Sequence, residues 1–361
     1  MFGLFVQRHA EAAALYNDIS VVYVHPDDNA IEKYEIINEK SGKDAIHRVS
    51  TIRVYYRKSK SKIISLIRFF RANNLALKRL PKPDIIHVHV LTRLGLIAWW
   101  QKLVHRTPYI ITEHWSRYLP GNDFSGFLRK RLTKLVVRNA SAITTVTDIL
   151  AKAMQEHRLR NDNYVIVPNV VNVNVFKPIE HNNIIPKIVH ISCFENISKN
   201  ITGLIDALSI LENKNIVFQC VFIGDGMDFE MIKDYSKKLK NQENIRFTGI
   251  LEGQPLISEL ATSDFMVLSS NYETQGVVLL EAFACGLPVV STNVGGIPEI
   301  VDERNGILVP PHDPEKLADG IHTMLKTYQN YDANALRESI IKKFSNESVG
   351  KLLNSLYQNI V

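Results

Sequence analysis

Residues 264–292 read DFMVLSSNYETQGVVLLEAFACGLPVVST. A short apolar run, 264–269, leads into a polar turn. An apolar stretch bounded by Gly276 and Gly286 follows, and after Pro288 comes a second β-branched run, 288–292. Runs this short suit buried strands, the two glycines suit the ends of a helix, and the proline stops that helix from continuing. The whole is a strand–helix–strand unit, and its right-handed crossover calls for a parallel sheet with helices on its faces.

The same alternation extends outward in both directions. Strands are expected at 187–194, 216–223, 245–250 and 306–309, which makes this half a doubly wound α/β domain. Further runs at 19–24, 47–56, 84–89, 108–112, 142–146 and 164–167 repeat the pattern upstream. The Asn-rich segment from Pro168 to Pro178 separates the two halves as a hinge. The expected division is therefore 1–172, 173–345 and a final helical segment, 346–361, packing back on the first domain. With 361 residues, two domains of roughly 100 to 200 residues each are in order.

One feature departs from the pattern. The chain opens MFGLFVQRHAEAAALYN, a turn and then a helix over about Val6 to Tyr16, where a doubly wound domain opens with a buried strand. The first strand is expected to be absent, through a start placed downstream of the native one or a truncated chain.

With 45% hydrophobic and 22% charged residues, the composition excludes disordered, collagen-like and coiled-coil classes. Leu94–Trp100 (LGLIAWW) falls far short of the ~20 apolar residues a spanning helix needs, and Phe2–Val6 is too short for a signal-peptide core. A cytoplasmic location is the expectation. Cys193, Cys220 and Cys285 all stand in apolar segments and are expected to be buried thiols.

The net charge of +6 hides a split of +13 over residues 1–172 and −7 over 173–361. Between Lys40 and Lys82 lie 13 basic residues and one acid, Asp44, interleaved with Tyr55, Tyr56, Phe69 and Phe70. Such a segment suits nucleic acid, an anionic membrane surface or simply a solvated helix face. In 59–79, Ile63, Ile64, Ile67 and Phe70 share one helical stripe and are expected to face the core.

Glu273 and Glu281 carry the strongest chemical signal. Glu281 lies inside an apolar helix, where an unpartnered carboxylate would cost several kcal/mol, so it needs a partner, and a pair of ligand hydroxyls is a good candidate. The backbone N–H groups of Thr274, Gln275, Gly276, Val277 and Val278 at the start of that helix suit a phosphate. Gly224-Asp225-Gly226 follows a strand as a close-approach turn, with Asp225 equally suited to capping the next helix. Lys199 lies where a strand hands over to a helix and suits neutralising a leaving diphosphate. Gly295-Gly296 makes a similar turn, of phosphate-binding or purely structural use. His114, after the strand PYIIT, suits a hydrogen bond to a sugar or plain packing. His87 and His89 alternate on one strand with no third ligand evident, and no Asp-x-Asp is present, so no metal is expected.

These segments together resemble the retaining glycosyltransferases of family 4, which have the two-domain GT-B fold. The resemblance rests on GLFVQRHAEA, PDIIHVH, PYIITEHW, AITTVTDILAKAM, VIVPNVVNVNVFKP, FIGDGM, NIRFTGIL and, most specifically, ETQGVVLLEAFACGLPVVSTNVGGIPEIV. It implies two Rossmann-like domains facing a cleft. It also implies transfer of a sugar, with retention and without a bound metal, from a UDP- or GDP-linked donor to a saccharide or lipid-linked acceptor in surface polysaccharide or glycolipid synthesis. By the resemblance, Glu273 sits beside the donor sugar, Lys199 binds the diphosphate, Glu281 holds the ribose and His114 contacts the sugar. The 274–278 amides lie near sugar and diphosphate. Two departures stand out. An Arg common in relatives some six residues before the Lys is replaced by Ser192 or Cys193, and only Gly3 remains of the glycine-rich acceptor loop. The partners implied are a nucleotide sugar, the acceptor and an anionic membrane surface through residues 40–82, at the inner face, with no nucleic acid. The rivals are a nucleotide-sugar epimerase of similar fold and a non-catalytic nucleotide-sugar or membrane-binding subunit.

Overall fold

The computed structural model describes residues 3–28, 32–40, 49–91, 93–121 and 124–361. Its first half runs α1 (Leu4–Ala13), β1 (Ser20–Asp27), β2 (Tyr34–Lys40), β3 (Ser50–Arg57), α2 (Lys62–Leu77), β4 (Ile86–His89), α3 (Arg93–His105), β5 (Tyr109–Glu113), α4 (Phe127–Asn139), β6 (Ala142–Thr145), α5 (Asp148–Glu156) and β7 (Tyr164–Ile166). The second half runs β8 (Lys187–Ile191), α6 (Asn196–Lys199), α7 (Ile201–Asn213), β9 (Gln219–Ile223), α8 (Phe229–Tyr235), β10 (Ile245–Gly249), α9 (Gln254–Ala261), β11 (Phe265–Leu268), α10 (Val277–Ala284), β12 (Val289–Thr292), β13 (Gly306–Val309), α11 (Pro314–Thr327), α12 (Ala333–Phe344) and α13 (Asn346–Gln358).

The second half forms one six-stranded sheet in the order β10-β9-β8-β11-β12-β13, parallel throughout. The order reverses beside β8: the chain winds outward through β9 and β10, then returns to lay β11 on the other edge of β8. Open parallel sheets bind ligands in the crevice at the carboxyl ends of the strands flanking such a reversal. Alternate residues feed the two faces. On β9, Cys220 and Phe222 join the core under α7 and α11, while Val221 and Ile223 join the core under α10 and α12.

The first half holds two sheets, β1-β3-β2 and the parallel β4-β5-β6-β7. β2 pairs antiparallel with β3 and escapes the sequence pattern. With Glu35, Glu39 and Lys40 in seven residues, it has the charged make-up of an edge strand. The described chain enters on α1. α13 packs on α1 and the β5–β6 region through Val349, Leu353, Leu356 and Tyr357 against Ala12, Ala13, Ile110 and Ala142. Gly350 permits that crossing, because a Cβ there would meet Ala12 O at 2.3 Å.

Two expectations fail on burial. α2 buries Phe69, Ala72, Asn73 and Ala76, while Ile63 is 71% and Ile67 47% exposed and Ile64 is exposed as well, so the isoleucine stripe faces outward. The sequence places two apolar stripes around this helix, and the one that carries Phe69, Ala72 and Ala76 is the one that packs against β1 and β3. Cys193 is exposed because it lies in the loop after β8, whereas Cys220 and Cys285 are buried. Residues 41–48, part of the basic segment and of the expected strand 47–56, lie outside the described residues.

Candidate active site

The reversal beside β8 brings together the loop-and-helix segment ending in α6 and the loop after β11. Lys199 Nζ lies 2.5 Å from Glu273 Oε1, with side chains 17% and 13% exposed, and Ser270 Oγ donates to the same oxygen at 3.0 Å. Burial opposes the charge on Lys199, but the Glu273 carboxylate outweighs it and the ammonium pKa stands above its ordinary value. The loop is stitched to the end of α6 by Ser269 Oγ donating to Lys199 O and by Asn271 N donating to Ser198 O. Gly295 and Gly296 lie directly behind them. A Cβ on Gly295 would meet Glu273 O at 1.8 Å, and one on Gly296 would meet Thr274 O at 2.2 Å. The glycine pair thus shapes the backbone that presents Glu273.

α10 begins just beyond, with Gly276 as its N-cap in the left-handed region at φ 73°. The N–H groups of Val277 and Val278 belong to its first turn and have no intrahelical acceptor. One turn further in, Glu281 is 6% exposed. Its partner comes from the protein itself: Arg8 Nη2 on α1 donates to Glu281 Oε1 at 2.7 Å, and Nη1 donates to Val170 O at 3.4 Å. Burial pushes the Glu281 carboxyl above its ordinary pKa, and Arg8 pulls it back only in part.

Thr274 and Gln275 join the two halves. Gln275 is buried, its Oε1 accepting from Asn169 N at 2.9 Å and its Nε2 donating to Val146 O at 3.1 Å, while Thr147 Oγ1 donates to Thr274 O. Glu299 reaches across as well, accepting from Asp148 N and Ile149 N at the start of α5. Sequence reading missed this clamp. Its only signal was an acid near a helix start, and the helix it caps lies 150 residues away.

The 224–226 turn follows β9. A Cβ on Gly224 would meet Ser192 O at 1.9 Å, and one on Gly226 would meet Phe194 O at 2.6 Å, so both glycines are required where two loops touch. Asp225 is exposed and accepts from Gly226 N, and the N-cap of α8 is Asp228, so the capping alternative for Asp225 fails.

From the first half, β5 ends at Glu113, whose buried carboxylate accepts from Leu91 N, His114 N and Trp115 N and so fixes the bend that carries His114. His114 is buried, with its ring 4.2 Å from that of Phe5. The sequence offered no third ligand beside His87 and His89; in the fold two further histidines, from α1 and from just past β5, stand beside His89. His9, His89 and His114 each offer a ring nitrogen within 4.8 Å of the others, because α1 lies against the carboxyl ends of β4 and β5. His87 is engaged elsewhere, by Tyr357 Oη and Thr112 Oγ1. Gly3, at φ 99°, is the N-cap of α1, where its carbonyl accepts from Val6 N and Gln7 N.

The family model described as glycosyl transferases group 1 matches residues 177–345, and the glycosyl transferase 4-like domain matches residues 37–170. The chain is 27% identical over 295 residues to N-acetyl-alpha-D-glucosaminyl L-malate synthase of Bacillus anthracis, covering 77% of this chain and 75% of that protein. Sucrose-phosphate synthase of Thermosynechococcus elongatus superposes with a TM-score of 0.82 at 20% identity, over 99% of this chain and 92% of that one. HepE of Anabaena, in complex with UDP and glucose, superposes with a TM-score of 0.70 at 17% identity, over 85% and 86%. Both neighbours share the GT-B architecture.

Proposed function

We propose that this chain, which belongs to the group 1 glycosyl transferases, moves a sugar with retained configuration from a nucleoside-diphosphate donor to a saccharide or lipid-linked acceptor. The observation that carries the reading is the Lys199–Glu273 pair at the strand-order reversal, set beside the amino end of α10 and the buried Glu281. A diphosphate laid at that helix end meets the first-turn amides and the positive end of the helix dipole. Lys199 then exchanges part of its contact with Glu273 for the departing phosphate, and charge that grows at the leaving oxygen is met by donors already in place. Glu273 faces the sugar and Glu281 the ribose hydroxyls, with Arg8 shared or displaced. His114 contacts the sugar from the other wall. The leaving charge is balanced by Lys199 and backbone amides, so this donor site needs no bound cation.

The acceptor side is proposed for the face of the first half. The outward stripe of Ile63, Ile64 and Ile67 on α2, beside Lys58, Lys60 and Lys62, supports contact with an anionic membrane where a lipid-linked acceptor resides. No helix of the described residues is long and apolar enough to cross a membrane. UDP-sugars head the donor panel because a structural neighbour was solved with UDP.

The test is release of nucleoside diphosphate from UDP- and GDP-sugars with and without a lipid-linked acceptor extract. Acceptor-dependent release that yields an α-linked product from an α-linked donor supports the reading. Donor conversion with no acceptor favours an epimerase, and binding without turnover favours a non-catalytic subunit.

A further inference from the structure

Three histidines of the first half, His9 and His114 buried and His89 partly so, form a constellation of their own. His9 comes from α1, His89 from the end of β4 and His114 from just past β5, and one ring nitrogen of each lies within 4.8 Å of the other two. The rings are close, with His9–His89, His9–His114 and His89–His114 centroids 5.3, 5.4 and 5.3 Å apart.

Hydrogen bonding fixes where the lone pairs are. His9 Nε2 lies 2.8 Å from Pro168 O, and a carbonyl only accepts, so Nε2 carries the hydrogen and Nδ1 of the neutral ring is bare. That Nδ1 is buried and has no partner. His89 Nδ1 and His114 Nε2 are 3.0 Å apart and share one hydrogen, so one of them is a bare acceptor. Burial holds all three imidazoles neutral, with His9 lowered to about 4 and the other two well below the ordinary histidine value. A bare, buried nitrogen with nothing to accept from is rare in folded proteins, and an imidazole whose other N–H is tied to a backbone carbonyl is the usual form of a metal-held histidine.

We infer that His9, His89 and His114 form a binding site for a borderline divalent ion of the Zn²⁺ class. The ligand set chooses the ion: three neutral imidazoles, with no carboxylate in the cluster, suit Zn²⁺, Co²⁺ or Ni²⁺ and not Mg²⁺ or Mn²⁺. Zn–N bonds of about 2.0–2.1 Å in a tetrahedron place the three nitrogens roughly 3.3 Å apart, so the rings close inward by modest side-chain rotation. The ion takes the place of the hydrogen shared by His89 and His114, whose donor ring shifts its proton to its other nitrogen; no proton is lost, and the double bonds of that ring rearrange to the other neutral tautomer. His89 is only partly buried, so the fourth position falls to water. On the proposed reaction, which this step presupposes only for its consequence, an ion here withdraws His114 from the sugar and so inhibits transfer.

The test is Co²⁺ titration of the full chain carrying Cys193→Ser, since the exposed Cys193 thiol is a competing ligand. The expected result is one equivalent bound with tetrahedral ligand-field absorption, displaced by Zn²⁺ and not by Mg²⁺. His9→Gln or His89→Gln should weaken it by more than the ~10–100-fold that loss of a supporting group brings. Zinc-edge X-ray absorption of the loaded protein with its native histidines counts ligands without relying on any histidine variant to fold, and three imidazoles are expected. No stoichiometric binding, binding unchanged in both histidine variants, or fewer than two imidazoles at the edge would each overturn the inference. None of these readouts depends on sugar transfer, so their failure is separate from failure of the proposed function.

Discussion

Arg8 on the first helix and Glu281 on α10 form a buried ion pair 2.7 Å long that joins residues 273 positions apart, and it closes one wall of the cleft against the other. Breaking a buried pair strands a charge, at about 3–5 kcal/mol. Arg8→Ala should lower unfolding free energy by about that amount, and Arg8→Ala with Glu281→Gln should recover a large part of it. Urea denaturation of the three proteins measures both; equal stability of single and double variants would show that the pair carries no such burden.

Lys199→Ala should reduce turnover of a confirmed donor by about 100-fold or more, the usual effect of removing one preorganised group at a developing charge. Because it also strands Glu273, Lys199→Ala with Glu273→Gln serves as the folding control. Turnover unchanged by Lys199→Ala would remove the lysine from the chemistry.

Gly295→Ala places a methyl 1.8 Å from Glu273 O at a residue with φ +50°. The loop that carries Glu273 must shift, so donor affinity should fall at least tenfold, alongside a stability loss of about 1–3 kcal/mol. Calorimetric titration and thermal melts separate the two effects.

Stability should fall steeply on mild acidification. His9 and His190 are lowered to about 4 and His87 to about 3, chiefly by burial, and His89 and His114 are lowered too. These groups are neutral in both states above about pH 6.5, so their stabilising effect is complete there. As pH falls from 6.5 toward 4 the unfolded chain takes up protons that the folded one cannot, at about 1.4 kcal/mol per pH unit for each histidine. Glu113 and Glu281, raised by burial, act in the opposite sense, taking up protons in the folded state at pH values above the ordinary carboxylate range. Urea titrations at pH 7, 6 and 5 should show the net fall; a flat profile would mean the histidines titrate normally.

Ile63→Glu with Ile67→Glu should abolish flotation with anionic vesicles while leaving the melting temperature within a degree or two, because both side chains face outward. Vesicle binding that survives the double change would move the membrane contact elsewhere.

The parallel domain was legible because 264–292 carries its own punctuation: two glycines and a proline bound α10 almost to the residue. Glu281 was legible as a carboxylate needing a partner, but not which partner, since Arg8 belongs to the other half of the chain. The histidine cluster was hidden for the same reason: periodicity along β4 shows His87 and His89 together, whereas His9, which completes the group, sits on α1. β2 and the outward turn of the α2 isoleucines were missed because an edge strand carries charge and because two apolar stripes compete for one helix.

Donor binding beside Glu281 is measured most simply by a thermal-shift titration with UDP-, GDP- and ADP-sugars on the wild type and on Glu281→Ala. A donor at 100 times its dissociation constant should stabilise the wild type by about 2.7 kcal/mol. A shift selective for one nucleotide and lost in Glu281→Ala is expected; an equal shift in both proteins, or none with any nucleotide sugar, would rule out a donor site at Glu281.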